Sequence, residues 1–343
     1  MKRKNAGARR LARGGYEIAA MLARNDLALL ESAGATAPRL TDALSSAAGY
    51  ALAEKSENTR RAYRSDLRAF SEWCDGVAAA ALPASSKTVA AYLAHLADSR
   101  LTVSTIQRRA AAIAYAHKLA GFGSPLVDES VKAVLRGIRR TLGVAPHGKA
   151  PATASVVAKM ARKLPATLVG KRDRSLILLG FAAALRRSEL VALTIADIER
   201  TGDGVFLHVA RGKTDQEGVG ATIAVPTAGK LGVLEALDDW CTAAALTEGP
   251  VFRAIDRHGR ISDHALSDDA VATIVKRAAK AARLDPTAYS GHSLRSGFVT
   301  SALASGADLF RVMDVTRHRE VKTLRAYDRR VKAFDNHPGR RFL

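Results

Sequence analysis

The sequence predicts a mostly α-helical protein with two domains, an all-helical first domain and an α+β second domain with a small antiparallel sheet. Its 343 residues are typical of a two-domain protein, and 48% of them are hydrophobic, enough for a sizeable core. Apolar residues recur at helical spacing along most of the chain, whereas two β-branched segments in the second half alternate as strands do. Gly, Pro and small residues interrupt the pattern at 144–152. This segment is the predicted linker, because Gly and Pro break regular structure.

The sequence is predicted to divide into five segments. Residues 1–45 form a basic arm, expected to be disordered, and residues 46–143 form the helical domain. Residues 144–152 are the linker, residues 153–330 the second domain and residues 331–343 a C-terminal tail. A mitochondrial-type transit peptide is the alternative interpretation of the arm, since both are basic and poor in acidic residues.

Helical periodicity is strongest in the first domain. Tyr63, Leu67, Phe70 and Cys74 recur at i, i+4, i+7 and i+11, which predicts one apolar face of a helix over residues 56–74. The candidate N-caps of this helix are Ser56, Asn58 and Thr59. Further helices are predicted over residues 87–97, 104–119, with a serine cap at Ser104, and 130–142.

The second domain mixes helices with one hairpin. Thr153 is a plausible cap for its first helix, and further helices are predicted over residues 175–185, 231–245, 268–282, 292–305 and 309–315. Val205–Ala210 and Ala221–Val225 alternate and are rich in β-branched residues, so they are predicted to be strands. The loop between them contains glycine and Lys213.

Charge and cysteine content limit the function classes. The chain has 53 Lys and Arg against 33 Asp and Glu, a net charge of +20, which favours nucleic acid as the partner. Only Cys74 and Cys241 are present, so a disulfide framework is excluded and a reducing cytosol is expected. No apolar run approaches the roughly 18–20 residues of a spanning helix, and we expect a cytoplasmic protein.

Basic residues follow three predicted helices of the first domain. Such a stripe beside an apolar face can meet a DNA groove while the helix stays docked, although a solvated charged surface is the commoner meaning. The net charge favours DNA contact. The predicted DNA-binding residues are Arg60, Arg61, Arg64, Arg68, Thr105, Arg108, Arg109, Arg136 and Arg139.

Five fragments of the second domain carry residues suited to phosphate chemistry. They are Arg186 with Glu189 three positions later, Lys213 in the hairpin loop, His292 and Arg295 at i and i+3, His318, and Tyr327. Each is ordinary alone: Arg-x-x-Glu is usually a surface pair, and a lone tyrosine is usually part of a core or an interface. Their order is the informative feature.

In that order the fragments resemble the tyrosine recombinase (phage integrase) family, most closely its Cre-like members. The segment SGHSLRSG at 290–297 is similar to the family's His-x-x-Arg region, and SENTRRAY at 56–63, EWC at 72–74 and LTVSTIQ at 101–107 look like the Cre-like N-terminal domain. The sequence departs from the family at Ala184 and Arg317, where Gly is common. It also has Asp268 and Asp269 where Cre-like enzymes place a basic residue, which suggests a different DNA preference.

The resemblance implies a role for each residue. Tyr327 is the expected nucleophile, and Arg186 and Arg295 clamp the non-bridging phosphate oxygens with paired donors. His292 is the expected proton acceptor, Lys213 protonates the leaving 5′-oxygen and His318 donates a hydrogen bond to the phosphate. Glu189 is expected to orient its neighbours.

The resemblance also implies the reaction and its partners. It implies a site-specific DNA recombinase, a C-shaped clamp that acts through a 3′-phosphotyrosyl intermediate and a Holliday junction. The partners are double-stranded DNA with inverted-repeat sites and three further protomers of a tetramer, with no membrane, metal or cofactor. The alternatives are a non-catalytic DNA-binding relative and a type IB topoisomerase or telomere resolvase.

Overall fold

A computed structural model of the chain describes residues 46, 50, 54–143, 148–209, 220–227, 229–318, 320, 321, 324 and 327. The chain divides into two compact units, residues 1–146 and 147–343. The division falls inside the segment predicted as a linker. The predicted basic arm at 1–45, Lys213 and the tail at 331–343 lie outside the described residues.

Helices build the described part of the first unit. They are α1 (Glu57–Gly76), α2 (Ser86–Asp98), α3 (Val103–Leu119) and α4 (Glu129–Leu142), with a 3-10 turn at Pro125–Val127. Apolar side chains spaced at helical periods meet in one core, whose members include Leu67, Phe70, Tyr92, Leu93, Ile106 and Ile113. Ser56 caps α1 as expected, because its hydroxyl accepts from the backbone of Thr59.

The second unit is mixed α and β. Its helices are α5 (Ala154–Arg162), α6 (Leu168–Ala182), α7 (Arg187–Ala192), α8 (Val233–Ala243), α9 (Asp268–Ala281), α10 (His292–Ala304) and α11 (Leu309–Thr316). Short 3-10 turns lie at Ile195–Asp197 and Pro286–Ala288. The strands are β1 (Ile198–Arg200), β2 (Gly204–Val209), β3 (Ala221–Pro226), β4 (Arg253–Ile255) and β5 (Ile261–Ala265). The main core surrounds α6 and includes Leu176, Ile177, Trp240, Phe252 and Val275.

Both sheets are antiparallel and small. Strands β1, β2 and β3 form one sheet in that order, with Leu207 opposite Ile198 on one side and Ile223 on the other. Strands β4 and β5 form a separate hairpin. The mostly helical fold with a small antiparallel sheet confirms the predicted class, while β1 and the β4–β5 hairpin were not predicted.

The later half of the predicted linker belongs to the second unit. The backbone of Ala150 donates to Ala288 O, and that of Ala152 donates to Ser293 O, both at 2.8 Å. Gly297 makes this contact possible, because a Cβ there would lie 1.8 Å from Ala152 O. Residues 150–152 therefore pack against the 3-10 turn at Pro286–Ala288 and against α10.

Three predicted helix boundaries are wrong. Thr102 caps α3, so Ser104 lies inside the helix rather than at its cap. Helix α6 begins at Leu168 and ends at Ala182, not at 175 and 185. The early start was hidden because its first turns are polar: Arg172 and Asp173 are buried there as an ion pair, with Nη2 of Arg172 2.8 Å from Oδ1 of Asp173.

Both cysteines are free thiols. Cys74 is fully buried in the first core, and burial raises the pKa of its thiol to about 12. Cys241 is half-buried on α8, and burial raises its pKa as well. Both thiols are therefore protonated and weakly nucleophilic at neutral pH.

Among the described residues, no helix combines the length and the apolar character needed to cross a membrane.

Candidate active site

The turn between α6 and α7 positions Arg186 and Glu189. Ala184 takes a left-handed conformation there with φ of 47°, which explains why glycine is common at this position in the resembled family. Arg186 precedes α7 directly, and its backbone N–H donates to Oε2 of Glu189 at 2.7 Å. The Nη1 atom of Arg186 donates to Oε1 at 2.6 Å. Glu189 thereby closes the first turn of α7 and fixes the guanidinium.

Helix α10 carries His292 and Arg295 on one face, as their spacing predicts. Arg295 is 2% exposed, and its guanidinium donates to two carbonyls, Ala184 O at 2.7 Å and Thr316 O. Burial, followed by the charges of Arg186 and Arg317, lowers the pKa of Arg295 to about 10. The group is still charged at neutral pH. These two hydrogen bonds connect Arg295 both to the α6–α7 turn and to the end of α11.

His292 is the first residue of α10 and is solvent-exposed. Its pKa lies below the ordinary histidine value because neighbouring protein atoms desolvate the ring and because Arg295 and Arg186 are close. A neutral imidazole can accept a proton, as the sequence predicts for this residue.

His318 follows the end of α11, within the same group of residues. Its Nδ1 atom lies 2.6 Å from the Thr316 hydroxyl, and that hydroxyl donates to Val312 O at 2.7 Å. Because the hydroxyl proton is directed at a carbonyl, the hydroxyl oxygen accepts from Nδ1–H of His318 and Nε2 keeps its lone pair. Burial, followed by the charges of Arg295 and Arg186, lowers the pKa of His318 to about 4.

Tyr327 lies against a small separate cluster. Its half-buried side chain packs on the cluster of Val299, Leu303, Val312 and Leu324, which joins α10 to α11. The phenol is close enough to Arg295 to affect the pKa of that guanidinium. The structure therefore brings Tyr327 to the same helix pair as Arg295 and His318.

Arg317 is a site residue that was noted in the sequence only as a departure from glycine. It takes a left-handed conformation with φ of 55° at the end of α11. Its Nη2 atom donates to Oε2 of Glu189 at 2.8 Å. The sequence signal that could have identified Arg317 as a site residue is an arginine at a position where the resembled family commonly has glycine.

The cluster carries a net positive charge. Three guanidiniums, on Arg186, Arg295 and Arg317, surround one carboxylate, on Glu189, which leaves +2 when the histidines are neutral. Burial alone would raise the pKa of Glu189, but the hydrogen bond from Arg186 and the charge of Arg317 outweigh it, and the pKa is lowered. The arrangement suits a phosphodiester, whose charge gathers on non-bridging oxygens. Within the described residues, no group of His, Cys, Asp and Glu is placed to hold a metal ion.

The predicted DNA-binding residues of the first unit differ in their surroundings. Arg60 and Arg64 pair with Glu57, Arg61 donates to Asn58, and Arg136 pairs with Glu129, all on the protein surface. Thr105 bonds the capping hydroxyl of Thr102, and Arg68 and Arg139 make no ion pair within the described part of the chain.

Arg109 is turned inward, toward the buried carboxylate of Asp66, and its Nη1 donates to the Tyr92 hydroxyl at 2.9 Å. Its neighbour Arg108 is 44% exposed and lies 2.9 Å from the same carboxylate. In the second unit, Arg187 pairs with Asp269 at 3.3 Å, so the first turn of α9 is partly neutralised.

Two family models match the chain. The phage integrase family matches residues 152–333, and the N-terminal SAM-like domain of phage integrases matches residues 49–120. The first model covers most of the second unit, and the second covers α1, α2 and α3 of the first unit.

Curated relatives agree with the family models. The chain is 39% identical over 279 residues to an integrase/recombinase XerD homologue of Selenomonas ruminantium, which covers 80% of this chain and 82% of the relative. It is 32% identical over 291 residues to a tyrosine recombinase of Synechococcus elongatus, covering 80% of this chain and 85% of the relative. The narrower likeness to Cre-like members stays a prediction, since these relatives are named otherwise.

Solved structures share the fold at low identity. A crystal structure of the XerH site-specific recombinase bound to its difH substrate has a TM-score of 0.58 at 15% identity, covering 96% of each chain. A lambda integrase dimer bound to a core site has a TM-score of 0.55 at 18% identity, covering 86% of this chain and 82% of that chain. The family models and the curated relatives show that the chain belongs to the phage integrase family and is a tyrosine site-specific recombinase.

Proposed function

We propose that Arg186, Lys213, His292, Arg295, His318 and Tyr327 form the catalytic set of this recombinase, with Glu189 in support. The observation that carries the proposal is the pair of fixed guanidiniums, on Arg186 and Arg295, with Tyr327 close to the second. Preorganised donors of this kind are usually the largest catalytic contribution, about 3–4 kcal/mol for one donor.

The proposed reaction is a transesterification in each direction. The Tyr327 oxygen attacks the scissile phosphorus, a bond forms between them, and the bond from phosphorus to the 5′-oxygen breaks. The tyrosine proton goes to His292, and Lys213 gives a proton to the leaving 5′-oxygen. Because the 3′-phosphotyrosyl link keeps the energy of the phosphodiester, rejoining needs neither ATP nor a metal ion.

His318 acts on the same phosphate. In the free protein its Nε2 carries a lone pair, so donation to a phosphate oxygen requires a proton on that nitrogen. The negative charge of a bound phosphodiester favours the protonated imidazole. Its role as donor therefore begins when DNA enters the site.

Recombination requires more than one protomer. We propose a tetramer on two DNA sites with inverted repeats, each protomer on one half-site, exchanging strands pairwise through a Holliday junction. The tail at 331–343 would contact a neighbouring protomer. The arginine-bearing helices α1, α3 and α4 would bind the DNA backbone. The matched relatives come from bacteria, which supports a cytoplasmic protein acting on chromosomal, phage or plasmid DNA.

The test is the variant Tyr327→Phe, which removes one hydroxyl and keeps the ring. Wild-type protein would first select duplexes from a random pool, and the recovered site would be nicked beside the scissile phosphate to trap the adduct. The wild type should form a covalent adduct on a denaturing gel, and Tyr327→Phe should bind the same DNA and form none. Tyr289→Phe is the matched control and should cleave normally. An adduct in Tyr327→Phe would place the nucleophile elsewhere.

A further inference from the structure

The position of Arg317 requires an explanation. A left-handed conformation costs a residue other than glycine about 1–2 kcal/mol, and Arg317 holds φ of 55° and ψ of 43°. The side chain is also largely removed from water, at 15% exposure, and its Nε atom has no hydrogen-bond partner among the described residues. An arginine here carries both a backbone cost and a desolvation cost, so its guanidinium must make a compensating interaction.

That interaction is with Glu189. The carboxylate is 2% exposed and is shared between two guanidiniums. Oε1 accepts from Nη1 of Arg186 at 2.6 Å, and Oε2 accepts from Nη2 of Arg317 at 2.8 Å. Arg317 thus approaches from the end of α11 the same carboxylate that Arg186 contacts from the start of α7.

Because Glu189 is shared with Arg317, the electric field of Arg186 at a nearby phosphate is less strongly cancelled. A carboxylate that faced Arg186 alone would cancel most of that guanidinium's field at a nearby phosphate, because the two charges are in contact. With a second cation on the other oxygen, the triad of Arg186, Glu189 and Arg317 carries +1 instead of zero. Glu189 can then orient Arg186 at a smaller electrostatic cost.

We propose that Arg317 is a positioning residue that neutralises and holds Glu189, so that Arg186 keeps its positive field for the scissile phosphate. The inference rests on the proposed function, since it assigns Arg186 to that phosphate. It concerns this chain's own departure from glycine. Arg317 acts through Glu189 and needs no contact with DNA.

The competing explanation is a purely structural ion pair. A structural pair would stabilise the fold without affecting the cleavage rate of the folded protein. A direct contact of Arg317 with DNA would lower cleavage or binding whether or not residue 189 is charged. Only the positioning role predicts that the effect of an Arg317 substitution on the cleavage rate depends on the charge of Glu189. A double-mutant cycle measures that dependence.

The experiment compares single-turnover cleavage by wild type, Arg317→Gln, Glu189→Gln and the double variant on the nicked duplex selected by wild type. Arg317→Gln should cleave about 10-fold more slowly at saturating protein, with DNA affinity within about 2-fold of wild type. In the Glu189→Gln background the same change should alter the rate less than about 2-fold. Arg317→Lys should recover part of the rate, and Arg311→Gln, an exposed arginine on the same helix, should cleave as wild type.

Arg317→Gly separates charge from backbone, because it removes the guanidinium and relieves the left-handed strain. It should cleave as slowly as Arg317→Gln. Wild-type cleavage by Arg317→Gln or Arg317→Gly, or equal losses in both Glu189 backgrounds, would overturn the inference.

Unfolding in urea tests the same contact without DNA. Arg317→Gln should lower the urea midpoint of the wild type and leave that of Glu189→Gln unchanged or raised. Equal shifts in both backgrounds would overturn the inference even if no variant cleaves. A wild type that forms no adduct, while this coupling holds, would instead count against the proposed function.

Discussion

The arginines proposed for catalysis in the second unit and the surface arginines of the first unit are held in opposite ways. In the second unit, Arg295 is buried and bonded to two backbone carbonyls, and Arg186 and Arg317 share one buried carboxylate. In the first unit, Arg64 and Arg136 lie on helix surfaces, paired with acidic residues seven positions earlier. The same side chain is thus fixed at these positions of the second unit and exchangeable at these surface positions of the first, where Arg109 is a buried exception.

The difference fits the two kinds of phosphate contact proposed for these arginines. A donor fixed before the substrate arrives needs no reorganisation during the reaction, and this is the property that accelerates chemistry. An exposed ion pair contributes only about 0–1 kcal/mol, so its arginine can exchange a carboxylate for a DNA phosphate at little cost. The first arrangement suits the proposed catalytic arginines, and the second suits arginines that would bind the DNA backbone.

The largest expected effect is on the rate of DNA cleavage, when the hydrogen bonds that fix Arg295 are removed. Arg295→Lys keeps a positive charge but cannot donate to both Ala184 O and Thr316 O while presenting a planar fork to phosphate. Single-turnover cleavage should fall by about 10²–10³-fold. Arg140→Lys, on the exposed surface of α4, should cleave at the wild-type rate. Similar rates for the two variants would remove the distinction between the two units.

Two helix glycines, Gly297 on α10 and Gly137 on α4, differ in how closely other backbone atoms approach them. Gly297→Ala would place a Cβ 1.8 Å from Ala152 O, so α10 or the 150–152 segment must shift. The free energy of unfolding should fall by about 3 kcal/mol or more, because backbone atoms cannot rotate away. Gly137→Ala on α4 meets no atom within 4 Å and should stabilise the protein by about 0.5–1 kcal/mol. Urea unfolding measures both, and a stable Gly297→Ala protein would contradict the close packing.

Acid should lower the free energy of unfolding through titratable groups of the fixed site. The folded pKa of His318 is lowered to about 4 from 6.5, so between these values the unfolded chain binds a proton that the folded chain does not. Stability then falls as pH falls from 6.5 toward 4, and Glu189, whose pKa is also lowered, acts in the same direction. Urea midpoints at pH 7.5, 6 and 5 should decline less in His318→Gln than in wild type; parallel declines would exclude this contribution.

The smallest expected effects lie on α1. Arg68 has no ion pair among the described residues, and Arg68→Ala should lower the log–log salt slope of DNA binding by about 0.9, the value for one phosphate contact. Glu57→Gln releases Arg60 and Arg64 from a competing carboxylate and should tighten binding a few-fold. Fluorescence anisotropy at several salt concentrations measures both. Weaker binding by Glu57→Gln would show that the pairs position the arginines rather than compete for them.

The spacing of apolar residues and the order of the site residues along the chain predicted the helices and the family, whereas some helix boundaries and buried ion pairs were not predicted. Apolar spacing placed α1 and its Ser56 cap, and the order of six ordinary residues identified the family. The start of α6 was missed because the burial of Arg172 beside Asp173 depends on Arg277, a residue more than a hundred positions away. The inward orientation of Arg109 was likewise not predicted, since its partner Asp66 lies on another helix. Helical spacing reports apolar faces and does not reveal ion pairs between elements.

The buried thiols have a practical consequence for single-molecule work. With Cys74 fully enclosed and the pKa of both thiols raised, the native cysteines should react slowly with maleimide dyes at neutral pH. A fluorophore attached through one introduced surface cysteine, such as Ser188→Cys on α7 or Arg140→Cys on α4, would then report on that position alone. A donor and an acceptor so attached to two protomers would let energy transfer follow assembly on DNA in real time.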